Sequence, residues 1–287
     1  MDLNWFLVFH NFQLRVHGFL TAPALSDRNY LGRHHSMQQT SPMPTKPQLD
    51  PRLILVTPPS ADVERDAVAT AWADAGGEVV RVDRFWQPPE LDPTLVRIYG
   101  PHTFALVLAE VWPIELVSPP YDLILGLPDD VLLRRMGSCR LDEVGALPLP
   151  LFVKPLVPKL FTAAVYDDPA SIQEETAGLE GETMVVWSEP RRFVAEVRIF
   201  ATGRAIHAAS AYEGDVPNLD AATAVGRRVL ENIAYDGPLV LDVGQFDDGR
   251  WAVIEVNEAW GAGLNGCDAE ACVPVLGQAT RPLAGPA

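Results

Sequence analysis

Three oxygen-bearing side chains, Asp242, Glu255 and Asn257, fall where they could share one face of a hairpin. Asp248-Gly249 separates two runs of alternating residues, 239–246 and 251–257, and glycine tolerates the positive φ of a primed turn. A two-residue loop there sets Asp242 directly opposite Glu255. Asn257 projects from the same face as Glu255, because strand side chains alternate. Opposed Cβ atoms stand about 4.5–5.5 Å apart, and like charges so placed repel. Two such carboxylates call for a cation or a shared proton. With an amide oxygen beside them the donor set is all oxygen, which suits magnesium and not zinc. The plainer alternative is a solvated face with scattered acids. The segment that follows, Glu258-Ala259-Trp260-Gly261-Ala262-Gly263-Leu264-Asn265-Gly266, favours the metal reading. Glycines there let backbone amides approach a phosphate or a substrate closely.

Lysine is the second signal. The chain has three, Lys46, Lys154 and Lys159, against nineteen arginines, so a generic surface cation here is an arginine. Lys154 ends the apolar run Phe152-Val153-Lys154-Pro155. Its compact ammonium on a flexible stem suits phosphate oxygens that move during transfer. Glu196 and Arg198 alternate with Val197 and Ile199 and so point to one face. An inward Arg198 needs an anionic partner. Ser188-Glu189-Pro190 breaks the chain between two strands.

Elements able to position these groups can be traced from residue 52. Residues 52–57 read as a buried strand, and Ser60 can cap a helix over 61–75. Strands at 78–83, 94–98 and 114–118 and a helix at 102–112 complete an alternating α/β layer with parallel pairing. This layer has no glycine-rich phosphate fingerprint and reads as scaffold and substrate wall. From Leu151 the pattern changes to strands at 151–154, 163–166, 183–187, 193–201 and 204–211, a helix at 219–233, then the hairpin. Antiparallel sheet with interspersed helices is α+β. The expected division is a disordered extension over 1–50, an α/β domain over 51–120 and a second domain over 121–287.

Composition narrows the function. The net charge of -16 repels nucleic acid and anionic membrane alike. No apolar run reaches the roughly 18 residues of a membrane span. Cys139, Cys267 and Cys272 have neither metal-ligand nor disulfide spacing, which fits a reducing, cytoplasmic setting. His102 and His207 have no paired nucleophile, so Ser-His or Cys-His hydrolysis is excluded. Residues 1–47 stand apart: they carry four Lys/Arg against two Asp/Glu, and four of the six histidines.

In this order the pieces resemble the ATP-grasp superfamily: Val153-Lys154-Pro155, the break at Glu189, Glu196-Val197-Arg198, Asp242, and Glu255-Val256-Asn257. Glu-x-Asn on a strand, with an Asp on its hairpin partner, is the most specific element. The likeness runs from Leu151 to Leu276 and is closest to small bacterial and phage members, in amino-acid- or peptide-ligating branches. It implies a small α/β layer followed by two α+β subdomains with the nucleotide between them. It also implies roles. Lys154 would hold ATP phosphates, joined by Lys159, and the backbone from Trp187 to Glu189 would line the adenine pocket. Glu196 would take the ribose hydroxyls. Asp242, Glu255 and Asn257 would bind magnesium, and Arg198 would face the transferred phosphate or a substrate carboxylate. The implied reaction activates a carboxylate as an acyl phosphate and joins it to an amine, with small-molecule or peptide substrates. A phosphotransferase, or a non-catalytic nucleotide binder, would use the same residues. Two departures stand out. The loop Leu156–Phe161 has no glycine, and no earlier lysine is present, Arg134 or Arg135 being the nearest substitute.

Overall fold

The computed structural model describes residues 48–283; the expected extension over 1–50 lies almost wholly outside the described residues. Strands β1 (Ile54–Thr57), β2 (Glu78–Arg81) and β3 (Val96–Ile98) pair in parallel, in the order β2-β1-β3. Every residue of β1 is buried, which accounts for its unbroken apolar run. Helix α1 (Val63–Asp74) crosses between β1 and β2. Its cap is Asp62, whose carboxylate accepts from the Arg65 amide at 2.9 Å. Ser60, the expected cap, lies too early and accepts instead from the Arg65 guanidinium. Helix α2 (His102–Val111) and strand β4 (Ile114–Leu116) finish the layer.

After the short helix α3 (Asp129–Leu132) comes a four-stranded antiparallel sheet. Its strands are β5 (Met136–Arg140), β6 (Leu151–Pro155), β7 (Ala164–Tyr166) and β8 (Met184–Ser188), ordered β5-β8-β6-β7, with α4 (Pro169–Glu175) between the last two in sequence. A second antiparallel sheet holds β9 (Ala195–Thr202), β10 (Ala205–Glu213), β11 (Pro238–Gln245) and β12 (Trp251–Asn257), ordered β10-β9-β11-β12, with α5 (Asp220–Asn232) after β10. The chain closes with α6 (Ala269–Leu276) and β13 (Thr280–Pro282), which pairs with β4. The architecture is thus the expected α/β layer followed by two α+β sheets.

Side-chain alternation in the second sheet divides its faces. Val197, Ile199, Leu241, Val243 and Val253 join Val229 and Leu230 of α5 in one core. Phe200 and Val240, from the opposite face, join Trp72, Leu108 and Leu276 in another. The α/β layer therefore packs directly on the second sheet, through α6 and the loop before it. On that face, beyond Phe200 and Val240, the residues are polar: Glu196, Arg198, Asp242, Glu255 and Asn257.

Candidate functional site

Asp242 does pair with Glu255, yet not through the expected turn. The Phe246 amide donates to Arg250 and the Gly249 amide to Phe246, with Gly249 at φ +83. The loop is therefore three residues, Asp247-Asp248-Gly249. Continued without interruption, that register would set Asp242 opposite Ile254. A β-bulge between the Val243–Val253 and Asp242–Glu255 pairs restores it. The extra residue also changes parity: Val253 and Val256 both face α5, which leaves Glu255 and Asn257 on the polar face. Bulges beside functional sites commonly re-aim side chains in this way. Arg134 pins the bulge. Its guanidinium donates to the Val253 carbonyl, to the Ile254 carbonyl at 2.9 Å and to the Leu132 carbonyl at 3.2 Å. Burial lowers its pKa to about 10, so it remains a cation at neutral pH.

Each carboxylate of the set has a donor. Arg198 Nε and Nη2 hold both oxygens of Asp242 at 2.8 and 2.7 Å. Asp242 is 2% exposed and Arg198 12%. Such a two-pronged bond is among the stronger polar contacts. Burial pushes the Asp242 carboxyl up, and the Arg198 guanidinium pulls it back down. Burial opposes the charge on Arg198, but the bond to Asp242 outweighs it and raises the pKa. The Asn257 amide donates to Glu255 Oε1 at 2.8 Å and leans on Asp242 at 3.4 Å. Among the described residues no three His, Cys, Asp or Glu side chains stand together as an ion site. Here two acids and one amide do. Turning the Asn257 amide over would direct its oxygen where its nitrogen now points, giving an all-oxygen set that fits a hard divalent cation.

Glu196 completes the face. Its Oε2 accepts from the Tyr212 hydroxyl at 2.6 Å. Burial lifts the Glu196 carboxyl, and the Tyr212 hydrogen bond lowers it again.

The loop 258–266 departs from expectation. The Leu264 and Asn265 amides, offered above to a phosphate or a substrate, both donate to Glu64 of α1, at 2.9 and 2.7 Å. A Cβ on Gly263 would lie 2.7 Å from Glu64 Oε2, so only glycine fits there. Gly263 in turn offers its carbonyl to Arg198 Nη1 at 2.8 Å. Further anchors come from the α/β layer: Gly100 on the Trp260 carbonyl, Tyr99 on the Ala262 carbonyl and Ser118 beneath the Trp260 indole. The layer thus holds the loop that supports Arg198. Removing the carboxylate with Glu64→Ala would leave two half-buried donors unpaired, a loss of about 1–3 kcal/mol. Thermal melting should fall accordingly, and Glu64→Gln, which keeps one oxygen, should lose less. A Glu64→Ala protein melting with wild type would mean that water replaces the carboxylate.

The other expected residues lie on the first antiparallel sheet or its loops. Val153 pairs with Trp187, so Lys154 and the break after β8 are neighbours. Among the described residues Lys154 makes no hydrogen bond or ion pair, and it is half-buried. Trp187 lies over Gly137, whose Cβ would meet the indole at 2.9 Å. The Glu189 carboxylate accepts from Arg135 at 2.6 Å and from Arg191 at 3.3 Å. Beside it a cleft is lined by Leu133, Pro190, Arg191, Val194 and Phe246. Lys159 adopts φ +73, the left-handed turn a glycine would supply more readily. Burial lowers its pKa, opposed by Glu258. Glu258 follows Asn257 directly, so the β6–β7 loop reaches the end of the hairpin. Arg134 and Arg135, the substitutes weighed for an earlier lysine, bind the bulge carbonyls and Glu189.

A family described as an ATP-grasp domain, the second family of its clade, matches residues 132–275. No curated protein matches the chain in sequence. Among solved structures the chain is similar to a RimK domain protein ATP-grasp from Sphaerobacter thermophilus DSM 20745. They share 20% identity at a TM-score of 0.54, over 77% of this chain and 97% of that one. It is also similar to N5-carboxyaminoimidazole synthetase from Staphylococcus aureus, with 10% identity and a TM-score of 0.50, over 78% of this chain and 76% of that one. At these identities the likeness concerns the fold.

Proposed function

The chain belongs to this ATP-grasp domain family, and from that membership we propose that it is an ATP- and magnesium-dependent carboxylate–amine ligase. The observation that carries this reading is the single polar face on which Arg198, Asp242, Asn257 and Glu255 are linked by hydrogen bonds. Asp242, Glu255 and Asn257 would hold magnesium, which neutralises phosphate charge when bound. Lys154, unpaired at the end of β6, binds the phosphates, with Lys159 approaching from the following loop. The backbone from Trp187 to Glu189 borders the base, and Glu196 accepts from the ribose.

In the reaction a substrate carboxylate oxygen takes the terminal phosphoryl group of ATP, and ADP leaves. An amine then attacks the acyl carbon, phosphate leaves, and an amide forms. Arg198 faces the charge that develops on the phosphoryl group or the carboxylate. The protein's contribution is mainly positioning and charge stabilisation. Amino acids and short peptides are the substrates this reading favours.

The test is release of both ADP and phosphate, dependent on metal, across a panel of amino acids and short peptides. ADP without phosphate would mark a phosphotransferase. No turnover, together with ATP binding that ignores metal, would overturn the reading. A second expectation concerns Lys154→Arg. A planar fork cannot follow a moving phosphoryl group as a compact ammonium can. ATP affinity and turnover should therefore fall together, and wild-type values for both would remove Lys154 from the phosphate site.

A further inference from the structure

Strand β10 pairs Ala211 with Val197 and Glu213 with Glu196, which leaves Tyr212 as an extra, unpaired residue in the ladder. A bulge of this kind turns a side chain away from the simple alternation. Here it brings the phenol to the polar face. The Tyr212 hydroxyl donates to Glu196 Oε2 at 2.6 Å, and the Arg198 guanidinium carbon stands 5.8 Å from the centre of its ring. One residue therefore touches both the acid assigned to the ribose and the arginine assigned to the reacting charge.

We propose that Tyr212 is a positioning residue that sets the preference for a ribose-bearing nucleotide, by holding one oxygen of Glu196 so that the other faces the ligand. The proposal rests on the reading of Glu196 as the ribose acceptor. A glutamate side chain has three rotatable bonds, and fixing it before the ligand arrives removes an ordering cost from binding. Among the described residues Tyr212 is the only donor to this carboxylate. Oε1 is left to accept from a hydroxyl. The stacked ring also restricts Arg198 on its outer side, while Asp242 and Gly263 hold its donors.

The experiment compares binding of ATP with binding of 2′,3′-dideoxy-ATP, which lacks both ribose hydroxyls, in the presence of magnesium. The proteins are wild type, Tyr212→Phe, Glu196→Gln and, as a control, Tyr235→Phe. Tyr235 lies away from the site, with its hydroxyl on the Pro238 carbonyl. Wild type should favour ATP, and Glu196→Gln should lose most of that preference. Tyr212→Phe keeps the ring but not the donor. It should lose roughly five- to tenfold of the preference, in keeping with one hydrogen bond to a charged group, while its affinity for the dideoxy nucleotide stays at the wild-type value. Tyr235→Phe should behave as wild type. If Tyr212→Phe keeps the full preference while Glu196→Gln loses it, Tyr212 is structural and the proposal fails alone. If Glu196→Gln also keeps it, the ribose reading of Glu196 fails and takes the proposal with it. Equal loss of affinity for both nucleotides in Tyr212→Phe would likewise overturn it.

Discussion

Replacing Arg198 with alanine is expected to cost about 3–5 kcal/mol of folding stability, the usual penalty for leaving one partner of a buried ion pair alone. The reason is Asp242. Its carboxylate is 2% exposed, both its oxygens are held by Arg198, and the remaining neighbours cannot replace that charge. Burial already raises its pKa. Without the guanidinium nothing offsets that push, so the variant should take up a proton at Asp242. The sign of the pH dependence follows. An acid whose folded pKa lies above its unfolded value favours the folded state at low pH and loses that contribution as pH rises through the folded pKa. The deficit of Arg198→Ala against wild type should therefore be smaller near about pH 5 than near about pH 8. Turnover by the folded fraction should fall by about 100- to 1000-fold, as for loss of a charged donor aimed at the transition state. The double change Arg198→Met with Asp242→Leu separates the two effects. It removes both charges, so stability should largely return while turnover does not. Chemical denaturation and metal-dependent ADP release on the same proteins give both numbers. An Arg198→Ala protein that loses stability but turns over normally when folded would leave Arg198 as a structural residue. One that melts with wild type would show that the Asp242 pair carries no buried charge.

The hairpin shows how far the sequence reaches. Its alternating strands and turn residues give the pairing of Asp242 with Glu255, but through two departures that cancel. The loop has three residues where two were expected, and the Ile254 bulge adds one back. Nothing in Trp251–Asn257 advertises the bulge except that Val253 and Val256 cannot share a face in a regular strand. The clamp that fixes it, Arg134, lies 119 and 120 positions away from the carbonyls it binds, beyond any local pattern. Tyr212 and Glu64 were invisible for the same reason. The first depends on a bulge, and the second on contacts 200 and 201 residues apart in sequence. Helix α6 was hidden differently: Pro274 sits inside it, and proline ordinarily ends a helix. Its eight residues survive because Cys272, Val273, Val275 and Leu276 are buried against the α/β layer and Asp268 caps the start. Tertiary burial overrides propensity there. By contrast, β1, α5 and the strands of the second sheet carry long, regular apolar patterns, and those were legible.

Glu255→Gln should separate metal binding from folding more cleanly than any other single change at the site. Glutamine keeps the length of the side chain and an oxygen that can still accept from the Asn257 amide, now at 2.8 Å. It removes a negative charge that raises the pKa of Asp242 across the hairpin. Like charges directly opposed on paired strands destabilise them, so the protein without metal should melt at the wild-type temperature or above it. Magnesium-dependent ATP binding should move the other way. Changing even an indirect supporter of a metal ligand commonly lowers affinity by about 10- to 100-fold. For a direct ligand the loss should reach the upper end of that range or pass it. A neutral amide oxygen is also a poorer donor to a hard dication than a carboxylate. The measurement is titration calorimetry of ATP with and without magnesium, beside a melting curve of each protein. If the magnesium increment in affinity survives in Glu255→Gln, the cation lies elsewhere and the hairpin is only a polar face. If the increment is lost but the melting temperature drops as well, Glu255 is holding the sheet together through Asn257. The metal assignment would then require Asn257→Ala, which removes that donor, to weaken magnesium-dependent ATP binding beyond its own effect on stability.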